Sequence, residues 1–347
     1  GHAAHVVVVF SDDAAEGVLV TGGGSREQAG LPPVGHPRNY LHTRQGLAVG
    51  LVSQGGGSCS LPRSAGCGRN YDDRMHDPKH PGVVADRDAR GPIPTLFLGH
   101  GAPPLLEDAA WMAELRGWAE QLPRPKQILI VSAHWENAPV AISSTRRVPL
   151  VYDFYGFPEH YYRMTYDAPG APGLATDVRK LMPTGEPVQE FEARGLDHGA
   201  WVPLKAMYPE ADIPVLQMSM PDLDPAHLFE LGRRLAPLRD EGTLIVGSGF
   251  MTHGLPFIHE YMGHTHGAPA WSVEFDRWAA EALERGDLDE LLAFRERAPG
   301  MPYAHPTVEH FAPLFVTLGA STRADEAPET TIEGFWWGLS KRAFQTS

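Results

Sequence analysis

The sequence predicts an α/β fold: a central, mostly parallel or mixed sheet flanked by helices, built as one domain over residues 91–347. Three observations carry this. Short runs of β-branched and aliphatic residues recur along the chain, stretches of helical period lie between them, and the two kinds alternate from Gly91 onward. No apolar run approaches the roughly 18–20 residues that a membrane span requires.

The first strand is TLFLG, and QILIVSAH, PVAISS, IPVLQMSM and GTLIVGSG follow as further short buried-strand patterns. PLLEDAAWMAELRGWAEQL, APGLATDVRKLM, WVPLKAMY and DPAHLFELGRRLAPL read as the helices between them. Later come PAWSVEFDRWAAEALERG, DLDELLAFRER and HPTVEHFAPLFVTLGA, again with helical spacing. In sheets of this kind ligand sites lie outside the carboxyl ends of the strands.

Residues 1–90 read differently. TGGGSREQAG, SQGGGSCS and SAGCGRNYDDRMHDPKHPG are rich in Gly, Ser and turn formers and keep no sustained period. Only HVVVVF and GVLV resemble strands, too few to offset the ordering entropy of the segment. The expectation is a disordered or non-domain extension whose six histidines are solvated. Its 9 basic and 9 acidic residues cancel, so the net charge of −14 belongs to residues 91–347, with 20 Lys and Arg against 34 Asp and Glu.

An acidic body without a basic stripe excludes nucleic acid as the expected partner, because phosphate contact needs concentrated Lys and Arg. A small molecule is expected instead, and no membrane. Two cysteines, Cys59 and Cys67, argue against a disulfide framework and a thiolate metal site. GHAAHVVVVFSDD lacks the basic start and long apolar stretch of a secretory signal, so the cytoplasm is the expected compartment. The number of subunits is open.

Chemistry is expected from histidine. His100 in LFLGHGAPP, His134 in ILIVSAHWEN and His253 in LIVGSGFMTHGL each follow a strand pattern. His310 stands in AHPTVEHFAPLF, and His198 follows a tight polar turn in GLDHGAWVPL. Imidazole is the commonest metal ligand and a proton carrier near neutral pH. A lone histidine after a strand is a ligand only about one time in five, but three strand ends on one side of a sheet raise those odds. Gly99 and Gly101 allow close backbone approach around His100. His310 is expected about one turn inside a helix that starts at Pro306. Neighbouring helical residues point about 100° apart, so His310 and Glu309 are not expected on one metal. His160, His227, His259, His305 and the pair His264 and His266 read as ordinary polar or solvated positions. The GSG at 247–249 lacks a phosphate-loop fingerprint, and Ser132 and Ser248 lie in no nucleophile elbow.

LFLGHGAPP, SAHWEN, YDFYGFPEHYYRMTYDAPG, GLDHGAWVPL, GSGFMTHGL and HPTVEHFAPLFVTLGA together resemble the class III extradiol ring-cleavage dioxygenases, and within them the DOPA-dioxygenase-like branch. The resemblance runs in one order over residues 92–345. It implies an extradiol dioxygenase-like catalytic domain at 91–347 that uses Fe(II) and O2 to open the ring of a small catechol beside the diol. Zinc is a second ion the resemblance admits. The family's metal-site histidines fall on His100, His134, His253 and His310. In the wider superfamily two histidines and a later carboxylate hold the iron, and a histidine placed like His253 is the base. Here the later position is His310, with Glu309 beside it.

The chemistry needs these parts independently. Few protein ligands leave positions for both catechol oxygens and O2. A base must take a catechol proton and an acid must later return one, with His253 and His198 as candidates. Asp197 or Asp153 is expected to orient one of them. Tyr152, Phe154, Tyr155 and Phe157 are expected at the substrate mouth. The competing readings are a zinc-dependent hydrolase and a non-catalytic metal-binding protein on the same scaffold.

Overall fold

The computed structural model describes residues 92–262, 267–321, 323 and 326–347. The expectations for residues 1–90 and for His264 and His266 lie outside the described residues. The chain first forms β1 (Thr95–Gly99), α1 (Ala109–Gln121), β2 (Gln127–Glu136) and β3 (Ala141–Ile142). Next come α2 (Pro172–Leu181), β4 (Gln189–Glu190), α3 (His198–Met207), β5 (Val215–Met220), α4 (Pro225–Leu235) and β6 (Thr243–Gly249). Four helices follow: α5 (Ala270–Glu284), α6 (Leu288–Leu292), α7 (Phe294–Arg297) and α8 (Pro313–Gly319). The last strands are β7 (Glu329–Ile332), β8 (Phe335–Trp336), β9 (Leu339–Ser340) and β10 (Ala343–Thr346).

Eight strands form one mixed sheet in the order β4-β3-β5-β2-β6-β1-β10-β7. Its centre, β5-β2-β6-β1, is parallel. β10 and β7 close one side antiparallel, and β3 meets β5 antiparallel on the other. Parallel strands are covered on both faces, which is why their sequences run apolar without a break. Side chains alternate across β1: Leu96 and Leu98 join the core under α1 and α3, and Phe97 joins the core under α2, α4, α5 and α8.

The five strand patterns read from the sequence all become strands, with PVAISS reduced to two residues. The C-terminal strands β7 to β10 follow no long apolar run, and the reading did not find them. The predicted helix from Pro306 is shortened to Pro313–Gly319. Pro313 has no N–H to give Glu309, and the His310 carbonyl accepts from Phe250 N at 2.8 Å rather than from Leu314. Residues 306–312 therefore turn.

β8 and β9 pair as a hairpin whose two-residue turn is Trp337-Gly338, with φ of +52° and +82°. Both signs fit a type I′ turn, which favours Asn-Gly. Tryptophan in that region costs about 1 kcal/mol. The hairpin is tied to α5 by Asp276, which accepts from Arg342 Nε at 2.8 Å, Arg342 Nη2 at 3.0 Å and Ser340 Oγ at 2.5 Å. Asp276 and Arg342 are both buried. Removing one partner of such a pair leaves the other charge without compensation. Arg342→Ala is expected to lower stability by about 3 kcal/mol, read from the urea midpoint. A loss under 1 kcal/mol would contradict this anchoring.

Candidate metal centre

The three central parallel strands end side by side. Gly99 of β1 is in register with Gly249 of β6, and Ser132 of β2 with Ser248 of β6. His100 follows β1 directly, and its backbone N donates to Gly249 O at 3.0 Å. His134 lies where the pairing of β2 with β5 slips between Val131 and Glu136, so it leaves the regular ladder. His253 lies four residues beyond β6 and is held by donation to Ala304 O at 2.7 Å. His198 opens α3, and His310 arrives on the 306–312 turn. That turn crosses β6 at Gly249, where a Cβ would stand 2.0 Å from the His310 carbonyl oxygen. Only glycine lets the two backbones approach this closely.

All five predicted histidines line one cleft. His100 Nε2 and His134 Nε2 are 3.0 Å apart, and His134 Nε2 and His310 Nε2 are 3.3 Å apart. The outward nitrogens set the tautomers. Glu309 Oε1 lies 2.7 Å from His310 Nδ1, and a carboxylate can only accept, so Nδ1 carries the proton. Ser248 Oγ donates to Gly199 O at 2.5 Å, which leaves it to accept from His100 Nδ1 at 3.1 Å. Both rings thus turn Nε2 lone pairs toward His134. A divalent ion placed among the three Nε2 atoms would take all three lone pairs, with the His134 proton moved to Nδ1 on the Asp153 side. Separations of 3.0–3.3 Å also match ligands about 2.1 Å from one ion. The donor set therefore fits a divalent metal, with Ser248 and Glu309 as the outer partners that orient ligands.

Two more groups stand at the edge of this trio. His198 donates through both its backbone N (3.0 Å) and Nδ1 (2.8 Å) to Asp153 Oδ1, while Asp153 Oδ2 is 3.7 Å from His134 Nδ1. Burial would raise the Asp153 carboxyl, but the His198 ring and its hydrogen bonds outweigh this and hold it well below the usual carboxylate range. The His253 ring stacks on His310 with centroids 3.3 Å apart, and its Nδ1 is 3.9 Å from Glu309 Oε1. Ligand-capable atoms of His100, His134 and His198 all lie within 4.8 Å of one another, as do those of His253, Glu309 and His310.

The structure refines the sequence reading at several positions. Glu309 and His310 touch through His310 Nδ1, because the segment is a turn and the 100° rule does not apply; this leaves Glu309 beside the outward ring nitrogen and not on a shared ion. Of the two expected orienting carboxylates, Asp153 reaches a histidine. Asp197 is instead fully buried between Arg194 (3.0 Å) and Gln217, joining α3 to β5. Tyr155 lines the cleft, whereas Tyr152, Phe154 and Phe157 pack into the α1–α3 core. Ser248, set aside as a nucleophile, proves to be a partner of His100. Trp336 and Trp337 also line the cleft and were not foreseen, because Trp-Gly is not a dipeptide that announces a hairpin turn.

Four of the buried imidazoles are held neutral by their surroundings. Burial chiefly, and then the neighbouring rings, pushes His100, His253 and His310 well below their ordinary value. Burial lowers His305 to about 4. In the unfolded chain these histidines take up protons below about 6.5, while the folded protein resists doing so. Stability is thus fully present above pH 6.5 and drains away as pH falls toward 4. The chelator-treated protein is expected to show this as a steep fall in Tm over that window. A flat profile would mean that the rings protonate freely when folded.

No helix among the described residues is long and apolar enough to cross a membrane. Residues 103–334 match the family model for the catalytic LigB subunit of aromatic ring-opening dioxygenase. A 4,5-DOPA dioxygenase extradiol of Beta vulgaris is 41% identical over 254 residues, spanning 70% of this chain and 92% of the relative. The Escherichia coli (strain K12) protein of the same description is 38% identical over 233 residues, or 66% and 85% of the two chains. A crystal structure of an uncharacterised Escherichia coli K12 protein superposes with a TM-score of 0.62 at 34% identity, covering 74% of this chain and all of that one. With the family model spanning most of its length and relatives this similar, the chain belongs to the class III extradiol dioxygenases of the LigB family.

Proposed function

We propose that the protein is a non-haem Fe(II) extradiol dioxygenase that opens the ring of a small catechol with O2, holding the ion with His100, His134 and His310. The observation that carries this reading is the convergence of three Nε2 atoms whose outward nitrogens are engaged by Ser248 and Glu309, or face Asp153. The iron, when bound, supplies adjacent positions for the two diol oxygens and O2. Everything else falls to side chains.

His253 is the base in this reading. Its ring is neutral because burial and the adjacent imidazoles disfavour its charged form, so it can accept a diol proton as substrate binds. Stacking on His310 holds it beside the ligand set rather than among it. His198 is the second proton handler. Its Nδ1 proton is committed to Asp153, which turns the opposite edge of the ring to the cleft. From there it can hold the substrate or return a proton when the ring opens.

The decisive assay is anaerobic Fe(II) loading followed by a catechol panel in air, reading O2 uptake and the yellow ring-opened product. Hydrolysis without O2 uptake, or metal binding with no turnover of any diol, would favour the competing readings. His100→Ala and His134→Ala are each expected to abolish stoichiometric metal binding by elemental analysis. Full metal content in both would remove the ligand assignment. His253→Gln is expected to retain its iron and lose roughly 10²–10⁴-fold in kcat, and His198→Gln to keep iron while losing turnover. If the His253 variant instead emptied of metal, His253 would be a ligand and the base role would pass to His198.

A further inference from the structure

The β8–β9 hairpin forms one wall of the cleft. Trp336 and Trp337 both line it, with rings stacked at a centroid distance of 4.1 Å and an angle of 12°. Trp111 supports Trp336 from behind at 5.5 Å. Leu255, Ile258 and Leu339 extend the apolar lining around the pair. Toward the histidines the charged group is the Asp153 carboxylate, whose side chain is 23% exposed. Among the described residues that line the cleft there is no lysine or arginine.

Position 337 carries the argument furthest. It is the first residue of a type I′ turn and sits at a φ of +52°, where glycine or asparagine would be unstrained. The hairpin does not need an indole there, and the strain is kept at the rim of the site. An indole at that place offers a large, rigid apolar surface to whatever projects from a bound ring. A carboxylate projecting the same way would lose water without gaining a lysine or arginine partner among the described lining residues, and would share the cleft with Asp153.

We infer that the Trp336–Trp337 wall selects the ring substituent, so that the protein prefers catechols carrying an uncharged aryl or alkyl group over catechols carrying a carboxylate. The inference rests on the ring-cleavage reading above for the position of the diol. Its test is kept separate from that reading by measuring binding without turnover.

Calorimetric titration of the Fe(II)-loaded full chain under anaerobic conditions would compare 4-phenylcatechol with 3-(3,4-dihydroxyphenyl)propanoate. The phenyl compound is expected to bind at least about tenfold more tightly, a contrast of the size that apolar pockets provide. Trp337→Gly preserves the turn, so it is expected to hold its Tm while bringing the ratio of the two affinities close to one. Trp337→Phe should keep most of the selectivity. Should the glycine variant fail to fold, Trp336→Leu carries the same expectation. Equal or tighter binding of the propanoate, or a ratio unmoved in well-folded variants, would overturn the inference. If neither compound consumes O2 in air but the affinity contrast stands, the ring-cleavage reading fails and the selective wall does not. If both are opened and the acid is preferred, the reverse holds.

Discussion

The parallel pairing of β2, β6 and β1 is the constraint on which the site depends. Parallel neighbours end on the same side of a sheet, and here they end in register, at Ser132, Ser248 and Gly99–Gly249. A strand's carboxyl end is also where its backbone groups stop being used by the ladder, so the next few residues are free to turn inward. His100, the slipped His134 and His253 exploit that freedom at three adjacent positions. A one-residue shift in any of these strands would move every side chain to the opposite face and dismantle the cluster. Apolar burial on both faces of the sheet makes such a shift costly.

Gathering five imidazoles in one cleft creates its own difficulty, because protonated rings so close together repel and buried charge is poorly solvated. Burial itself keeps His100, His253 and His310 neutral, and the surrounding polar groups fix the tautomers of three rings. Ser248 passes its only proton to Gly199 and so can only accept from His100. Glu309 and Asp153 do the same for His310 and His198. One serine and two carboxylates therefore decide which ring nitrogens carry lone pairs into the cleft, although none of the three belongs to the converging trio. Asp197 serves differently: it fastens α3 to β5 and so fixes where His198 begins.

Much of this was legible in the sequence. TLFLG and GTLIVGSG announce buried strands through unbroken apolar runs, and the histidines after them fall where sheet geometry puts ligands. The short strands near the C-terminus were not legible, because ETTI is a mostly exposed edge strand and AFQT, though buried, has only two apolar residues in four. The segment before α8 misled for a specific reason. HPTVEHFAPLFVTLGA has helical spacing, but the bond from Phe250 to the His310 carbonyl is a contact between residues 60 positions apart in sequence, invisible to a local pattern. The aromatic residues at 152, 154 and 157 were likewise ambiguous, since a ring suits a core as well as a substrate mouth. Trp201 in α3 decides it by giving two of them, Tyr152 and Phe154, a buried partner.

The crossing of His310 over Gly249 also bears on how the protein is made. His100 and His134 leave the ribosome close together, but His310 follows His134 by 176 residues. Until the turn at 306–312 has been synthesised and has closed over β6, the nascent chain can offer an ion only part of its donor set. An incomplete set binds loosely and with little discrimination among divalent ions. On the proposed ligand assignment, the full donor set exists only once the sheet and the crossing of the 306–312 turn at Gly249 are assembled.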